Sequence, residues 1–250
     1  MDTTLLVLSL IITFIAAALT VPAGFGLATM LTPLALLWFT DPHEAITVVA
    51  IIHGAHNAWK LKVLKENLDV SSIKRFGWVL VVGALIGASL NSYVNPDPLL
   101  LIVGFALVVL PILSATEKWT KLRLPETEDR LGGFSSGFLG GLTGHQGALR
   151  ALFLQNRIPD KAAYAATAAA LALVVDLSRI PVYLSFHGGG IADEIPLIIG
   201  FVIAAILGVN LGKVWLKKWK DSWIRNGILL GITASGLLYI REALLAMGMI

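Results

Sequence analysis

Between Gly140 and Arg150 the chain reads Gly140-Gly-Leu-Thr-Gly-His145-Gln146-Gly147-Ala-Leu-Arg150, glycines set against an imidazole, a carboxamide and a guanidinium. That chemistry suits an anion. Glycines interrupt a helix and expose its backbone. If helix resumes near His145, its first free N–H groups form a positive end aimed at the elbow. Arg150, about a turn and a half further on, could hold a planar or trigonal oxyanion with two donors. It could equally snorkel to the membrane surface beside Arg157. Gly141, Thr143, Gly144, His145, Gln146, Gly147 and Arg150 are the second-half candidates for substrate binding.

A fainter glycine break, Pro22-Ala-Gly24-Phe-Gly26, adds Gly24, Gly26 and Thr29 to the same set. Asp176 and Arg179 lie three apart on one face of an apolar segment. Ionisable residues at membrane depth face the protein interior and mark transport paths. The pair could neutralise itself structurally, or Asp176 could hold Arg179 toward substrate. His53, His56, Asn57 and Lys60 occupy neighbouring faces of another segment. They could carry a coupled proton or serve as buried hydrogen-bonding residues between helices. A metal is the weakest reading, since no carboxylate or thiolate accompanies the imidazoles. No resident metal and no cofactor are expected. Asn210 is expected to hydrogen-bond between helices.

These residues need an apolar scaffold, and the composition supplies one. Hydrophobic residues make up 56% of the 250 and charged residues 14%, against about 25% charged in soluble domains. Mean hydropathy is +0.80. The chain is read as an integral membrane protein with spans over 44–61, 76–93, 99–114, 162–185, 195–213 and 224–247. The run near the N-terminus lacks a basic flank and is expected to be retained structure. Cysteine is absent, which excludes disulfides and thiolate chemistry. The P-loop, His-Glu-x-x-His and Gly-x-Ser-x-Gly patterns are absent too, so the chain is not read as an enzyme. The basic pI of about 9.2 is attributed to cytoplasmic loops rather than to nucleic acid.

Loop charges orient the spans. Lys60, Lys62, Lys65, Lys74 and Arg75 form one basic group, and Lys118, Lys121, Arg123 and Arg130 another. Arg157 with Lys161, then Lys213, Lys217, Lys218, Lys220 and Arg225, complete four basic loops, which the positive-inside rule places in the cytoplasm. Residues 131–156 then begin and end inside and are too few for two crossings. They should enter and return, with residues 140–144 as the elbow. Residues 3–40 begin and end outside, either as a second re-entrant segment or as two crossings.

The two halves look duplicated. Gly24, Pro42 and Ala45 recur as Gly141, Pro159 and Ala162, each 117 residues later (141 − 24, 159 − 42, 162 − 45). Gly83 and Gly87 recur as Gly208 and Gly212, 125 later (208 − 83, 212 − 87). On the first offset Pro33 answers to Arg150, leaving the charge to the second half. The expected fold is an all-α polytopic membrane protein of two inverted repeats, 1–114 and 131–250, joined by a cytoplasmic linker, 115–130. Each repeat is a broken or re-entrant helical segment plus three transmembrane helices. Gly-x-x-x-Gly at 83–87 and 208–212 should pack the repeats closely.

Gly132-Gly-Phe-Ser-Ser-Gly-Phe-Leu-Gly-Gly-Leu-Thr-Gly-His-Gln-Gly147 and, more weakly, Pro42-His-Glu-Ala45 resemble the TauE/SafE family of sulfite and organosulfonate exporters, over nearly the whole chain. The resemblance implies export of sulfite, an organosulfonate or a related carboxylated acid, driven by a proton gradient or the membrane potential. From the residues, a secondary transporter working by alternating access is expected, its site between the glycine elbows near the midplane. His53, His56, Asn57 and Asp176 are candidates for proton coupling or support, and Arg179 joins the substrate-binding set. An anion channel built from re-entrant segments is the alternative. The partners expected are the lipid bilayer and a small anion, with a homodimer left open and nucleic acid excluded. The chain is placed in the cell membrane, plasma or inner, with its termini outside.

Overall fold

A computed structural model describes residues 3–115, 129–154, 157–218 and 221–249. The protein is an all-α polytopic membrane protein, and among the described residues it contains no strand. The helices are α1 (Thr3–Ala23), α2 (Leu27–Ala35), α3 (Pro42–Leu64), α4 (Val70–Asn91), α5 (Pro96–Ala115), α6 (Asp129–Thr143), α7 (Gly147–Leu154), α8 (Lys161–His187), α9 (Ile195–Lys218) and α10 (Asp221–Ala246). All six expected spans are helical. Asp side chains start three of these helices: Asp41 accepts from the His43 N–H at 2.9 Å, Asp69 from Ser71 at 3.0 Å, and Asp160 from Ala163 at 2.7 Å. Such caps fill the donors a helix start leaves open.

Outward faces carry apolar stripes, Ile11, Ile12 and Ile15 on α1 and Ile199, Ile203 and Leu207 on α9, all about half exposed. A side chain that meets lipid need not be polar, so these stripes read as bilayer contacts. Inner faces are small instead. A Cβ on Gly83 or Gly87 of α4 would run into the α6 backbone at Phe134 or Phe138. A Cβ on Gly208 or Gly212 of α9 would run into α1 at Phe14 or Ala18. Both Gly-x-x-x-Gly motifs therefore let backbones approach closely, as small residues do in membrane helices. Asn210 accepts from the Trp59 indole at 3.0 Å, the interhelical bond expected of it.

Helix pairings repeat when α1–α5 are exchanged for α6–α10. α4 packs on α6 and α9 on α1; α4 also meets α8, and α9 meets α3. The central pair α3 and α8 and the outer pair α5 and α10 map onto themselves.

In both broken segments the second arm brings the chain back toward the start of the first. Asp129, at the start of α6, is ion-paired to Arg157 beyond the end of α7 and to Arg75 at 2.7 Å. With arms of 15 and 8 residues, about 22 and 12 Å long, neither α6 nor α7 reaches across a bilayer. In the first segment the Trp38 indole donates to Ser9 on α1 at 3.2 Å, so the chain comes back beside its own entry. α1 has 21 residues, enough to cross, whereas α2 has nine. Nine residues, about 14 Å as helix, are too few for a second full crossing.

Three expectations change. The second elbow is residues 144–146, not 140–144: Gly140 and Gly141 lie inside α6, packed against Gln146 and the α4 backbone. The first elbow narrows to residues 24–26. The register of the halves moves as well. The left-handed elbow glycines Gly24 and Gly144 are 120 apart (144 − 24), and the capping residues Asp41 and Asp160 are 119 apart (160 − 41). Gly24 therefore answers to Gly144 rather than Gly141, because the break follows backbone conformation and not the nearest glycine. The four basic groups were not all loops either: Lys60 is buried inside α3. Lys118, Lys121, Arg123 and Lys220 lie outside the described residues, as does most of the expected linker.

Candidate functional site

The two elbows meet against the middle of α3. Gly24 and Gly26 take φ of 81° and 109°, and Gly144 takes 85°, a region that L side chains rarely adopt. At Gly24 a Cβ would also strike the Tyr164 ring of α8. These glycines end α1 and α6 and start α2 and α7 from the protein interior. Helix N–H groups then have no partner within the turn. Intrahelical bonding resumes with Met30 N–H to the Gly26 carbonyl and Arg150 N–H to the Gln146 carbonyl, both at 3.0 Å. The positive ends of α2 and α7 thereby open toward one space.

That space is a small cavity. One wall is the first elbow, with Gly24, Gly26 and Thr29; the opposite wall is the second, with Gly144, His145, Gln146, Gly147 and Arg150. α3 supplies His53, His56, Asn57 and Lys60. Its free volume is about 20 Å³, room for about one water molecule. Thr29 Oγ1 faces His145 Nδ1 at 3.5 Å across the gap. Arg150 is 3% exposed, and among the described residues its one hydrogen bond goes to Gln146 Oε1 at 3.2 Å. It does not snorkel. Buried polar atoms without a protein partner cluster here: His56 Nδ1, His145 Nε2 and Gln146 Nε2. Among the described residues, the lining contains two cations, Arg150 and Lys60, and no carboxylate.

Four expected residues stand behind the wall. Gly141 packs on α4, and its carbonyl accepts from the Tyr183 hydroxyl. The Thr143 hydroxyl accepts from the His145 N–H at 3.2 Å and donates to the Leu139 carbonyl at 2.9 Å, which shapes the elbow. Asp176 Oδ1 accepts from Arg179 Nε and Nη2 at 3.1 and 2.8 Å, and its Oδ2 lies 2.7 Å from His53 Nδ1. Arg179 is wholly buried and also donates from Nη1 to the Gly140 carbonyl at 2.9 Å. Among the described residues, His53 is thus the one lining residue hydrogen-bonded directly to the pair behind. Among the described residues, no three His, Asp or Glu side chains converge as a metal site.

Lys60 stands both with the loop charges and with His53, His56 and Asn57 on one segment, and the structure decides for the segment: it is 1% exposed, and its Nζ donates to the Thr20 carbonyl at 3.3 Å. Its spacing held the signal, because three and four residues beyond Asn57 and His56 is the same helix face.

The model of the family described as Sulfite exporter TauE/SafE matches residues 9–239. No curated protein and no solved structure matches the chain. The matched stretch runs from the first arm of the first broken segment almost to the end of α10, so it contains both elbows and every residue of the cavity. The chain belongs to the TauE/SafE sulfite exporter family.

Proposed function

We propose that this chain is a secondary transporter that exports a small anion, sulfite or an organosulfonate, bound between the two elbows. Membership of the family implies a transporter of the sulfite or sulfonate exporter type. The observation that carries the site is the cavity lining, which among the described residues has two buried cations, three unpartnered buried polar atoms, two helix N-termini and no carboxylate. A buried cation without a counter-charge is unfavourable, and an anion removes that penalty. Arg150 pairs with the anion through its free donors. The elbow N–H groups and His145 and Gln146 complete its hydrogen bonds, as a half-helix terminus does in other transporters.

Alternating access follows from the repeats, 1–114 and 131–250, taken as inverted copies rocking about the α3–α8 pair. The exchange of helix pairings supports this arrangement. The end that gathers Arg75, Arg157 and Asp129 is taken as cytoplasmic, with both termini outside, in the cell membrane. His53, held by Asp176, is the candidate for a coupled proton. A cavity of one-water size favours a transporter over an open channel.

Thermal unfolding of the purified protein in detergent tests the site, with sulfite, sulfate, thiosulfate, sulfoacetate, taurine, acetate and phosphate at matched sodium and pH. A ligand bound only to the folded state raises Tm. A selective rise with sulfite or a sulfonate, lost in a monodisperse Arg150→Ala variant, is the expected result. A rise that persists in Arg150→Ala overturns the site.

A further inference from the structure

The halves hold a cation at corresponding places, and only one of the two is neutralised. On α8, Arg179 donates to the Gly140 carbonyl, four residues before the elbow glycine Gly144, whose own N–H bonds that carbonyl at 3.0 Å. On α3, Lys60 donates to the Thr20 carbonyl, four residues before Gly24, whose N–H bonds it at 3.0 Å. Each cation therefore sits at the negative end of a broken helix. Three residues before Arg179 stands Asp176, which takes two of its hydrogen bonds. Three residues before Lys60 stands Asn57, which is neutral and donates to the His53 carbonyl at 2.8 Å. An ammonium has three donors. Among the described residues Lys60 uses one, and its charge faces the cavity that Arg150 faces from the opposite wall.

We propose that Lys60 is a second anion ligand and that the neutral Asn57 keeps its charge available, so that the cavity favours a doubly charged oxyanion over a singly charged one. Two buried cations are balanced by two negative charges; a monoanion leaves one of them unmatched in a low-dielectric site. This rests on the anion-transport reading above and adds to it the valence of the ligand and the residue pair that sets it. The glycine elbows treat any anion alike; the preference in charge arises from the difference between Asn57 and Asp176 at matching positions.

Calorimetric titration of the purified full-length protein in detergent tests it, at near-neutral pH where a large share of sulfite carries two charges and the Lys60 ammonium is retained. The probes are sodium sulfite and sodium methanesulfonate; the proteins are wild type, Asn57→Asp and Lys60→Gln. Wild type should bind sulfite more tightly than methanesulfonate. Each variant should lose sulfite affinity by about tenfold or more while losing less for methanesulfonate, so that the preference narrows. A general packing defect would weaken both probes together, and that outcome overturns the proposal. Sulfite binding unchanged in both variants, but lost in Arg150→Ala, also overturns it, reducing Lys60 to a helix cap and leaving the anion site intact. If wild type binds neither probe, the anion reading itself fails and Lys60 falls with it. Should Asn57→Asp not be monodisperse, Lys60→Gln decides, since it removes the charge directly.

Discussion

The end of α6 is braced where the end of α1 is sparsely held. At α6 three successive carbonyls each receive a side-chain donor: Gly140 from Arg179, Gly141 from Tyr183, and Leu142 from Asn91 at 2.8 Å. Asp176 closes the charge of the arginine. At α1 the Thr20 carbonyl receives Lys60, while His56 Nε2 lies 3.4 Å from the Ala17 carbonyl. Among the described residues, nothing acidic answers Lys60 from the cavity wall. Two helix ends of one backbone plan thus differ in polar closure. The bracing concerns the ends of α1 and α6 rather than the elbow residues that follow them: the end of α6 is held by three donors, whereas at the end of α1 Lys60 keeps donors that an anion can use.

That contrast breaks first at Asp176. Asp176→Ala leaves Arg179 buried without a counter-charge and should destabilise the protein by about 3–5 kcal/mol. Size-exclusion profiles and thermal unfolding should show little monodisperse protein. Asn57→Ala, its counterpart, should stay folded. Equal damage from both would erase the distinction between the braced end of α6 and the open end of α1.

The helix contacts should behave alike in the two halves. Gly141→Leu on α6 and Gly212→Leu on α9 both push a side chain into a facing backbone, at Ala84 and at Ala18. Each should lose about 1–3 kcal/mol or more in thermal unfolding. A mild effect at one site alone would mean that the two contacts are not equivalent.

The elbow glycines sharpen the comparison further. Alanine at Gly24 or Gly144 must hold a left-handed conformation, at a cost of about 1–2 kcal/mol. Gly24→Ala should be the worse, because the Tyr164 ring must also move, whereas a Cβ at Gly144 meets Arg179 Nη1 at 3.0 Å. Tm values of the two variants check the order. The smallest effect is expected at Trp59→Phe, which removes the exposed bond to Asn210 and should change stability by about 1 kcal/mol or less.

Much of this was legible in the residues themselves. Long apolar runs announced the spans, since crossing hydrocarbon requires about 20 apolar residues as helix. Glycine clusters announced the breaks, and the Gly-x-x-x-Gly pairs announced close backbone contacts, because both depend on the missing Cβ. The family resemblance rested on the same glycine-rich stretch. His145, Gln146 and Arg150 were recognisable because cation, donor and break lie within a few residues of one another.

What stayed hidden depended on depth and facing. Lys60 stood both among the loop charges, with Lys62 and Lys65, and on the polar faces of its segment, with His53, His56 and Asn57; only its contact with Thr20 decides between them. His53 and Asp176 are 123 residues apart in sequence, so no local pattern joins them. The elbow limits shifted because the left-handed backbone falls at Gly24, Gly26 and Gly144, and spacing alone does not mark which glycine of a cluster takes it. By itself the sequence determined a membrane-embedded, helical, twice-broken chain with an anion-suited elbow, since composition and missing side chains act locally. Which cation is neutralised, and which is left facing the cavity, was decided by tertiary packing, because charge balance in a buried site is a property of distances between segments.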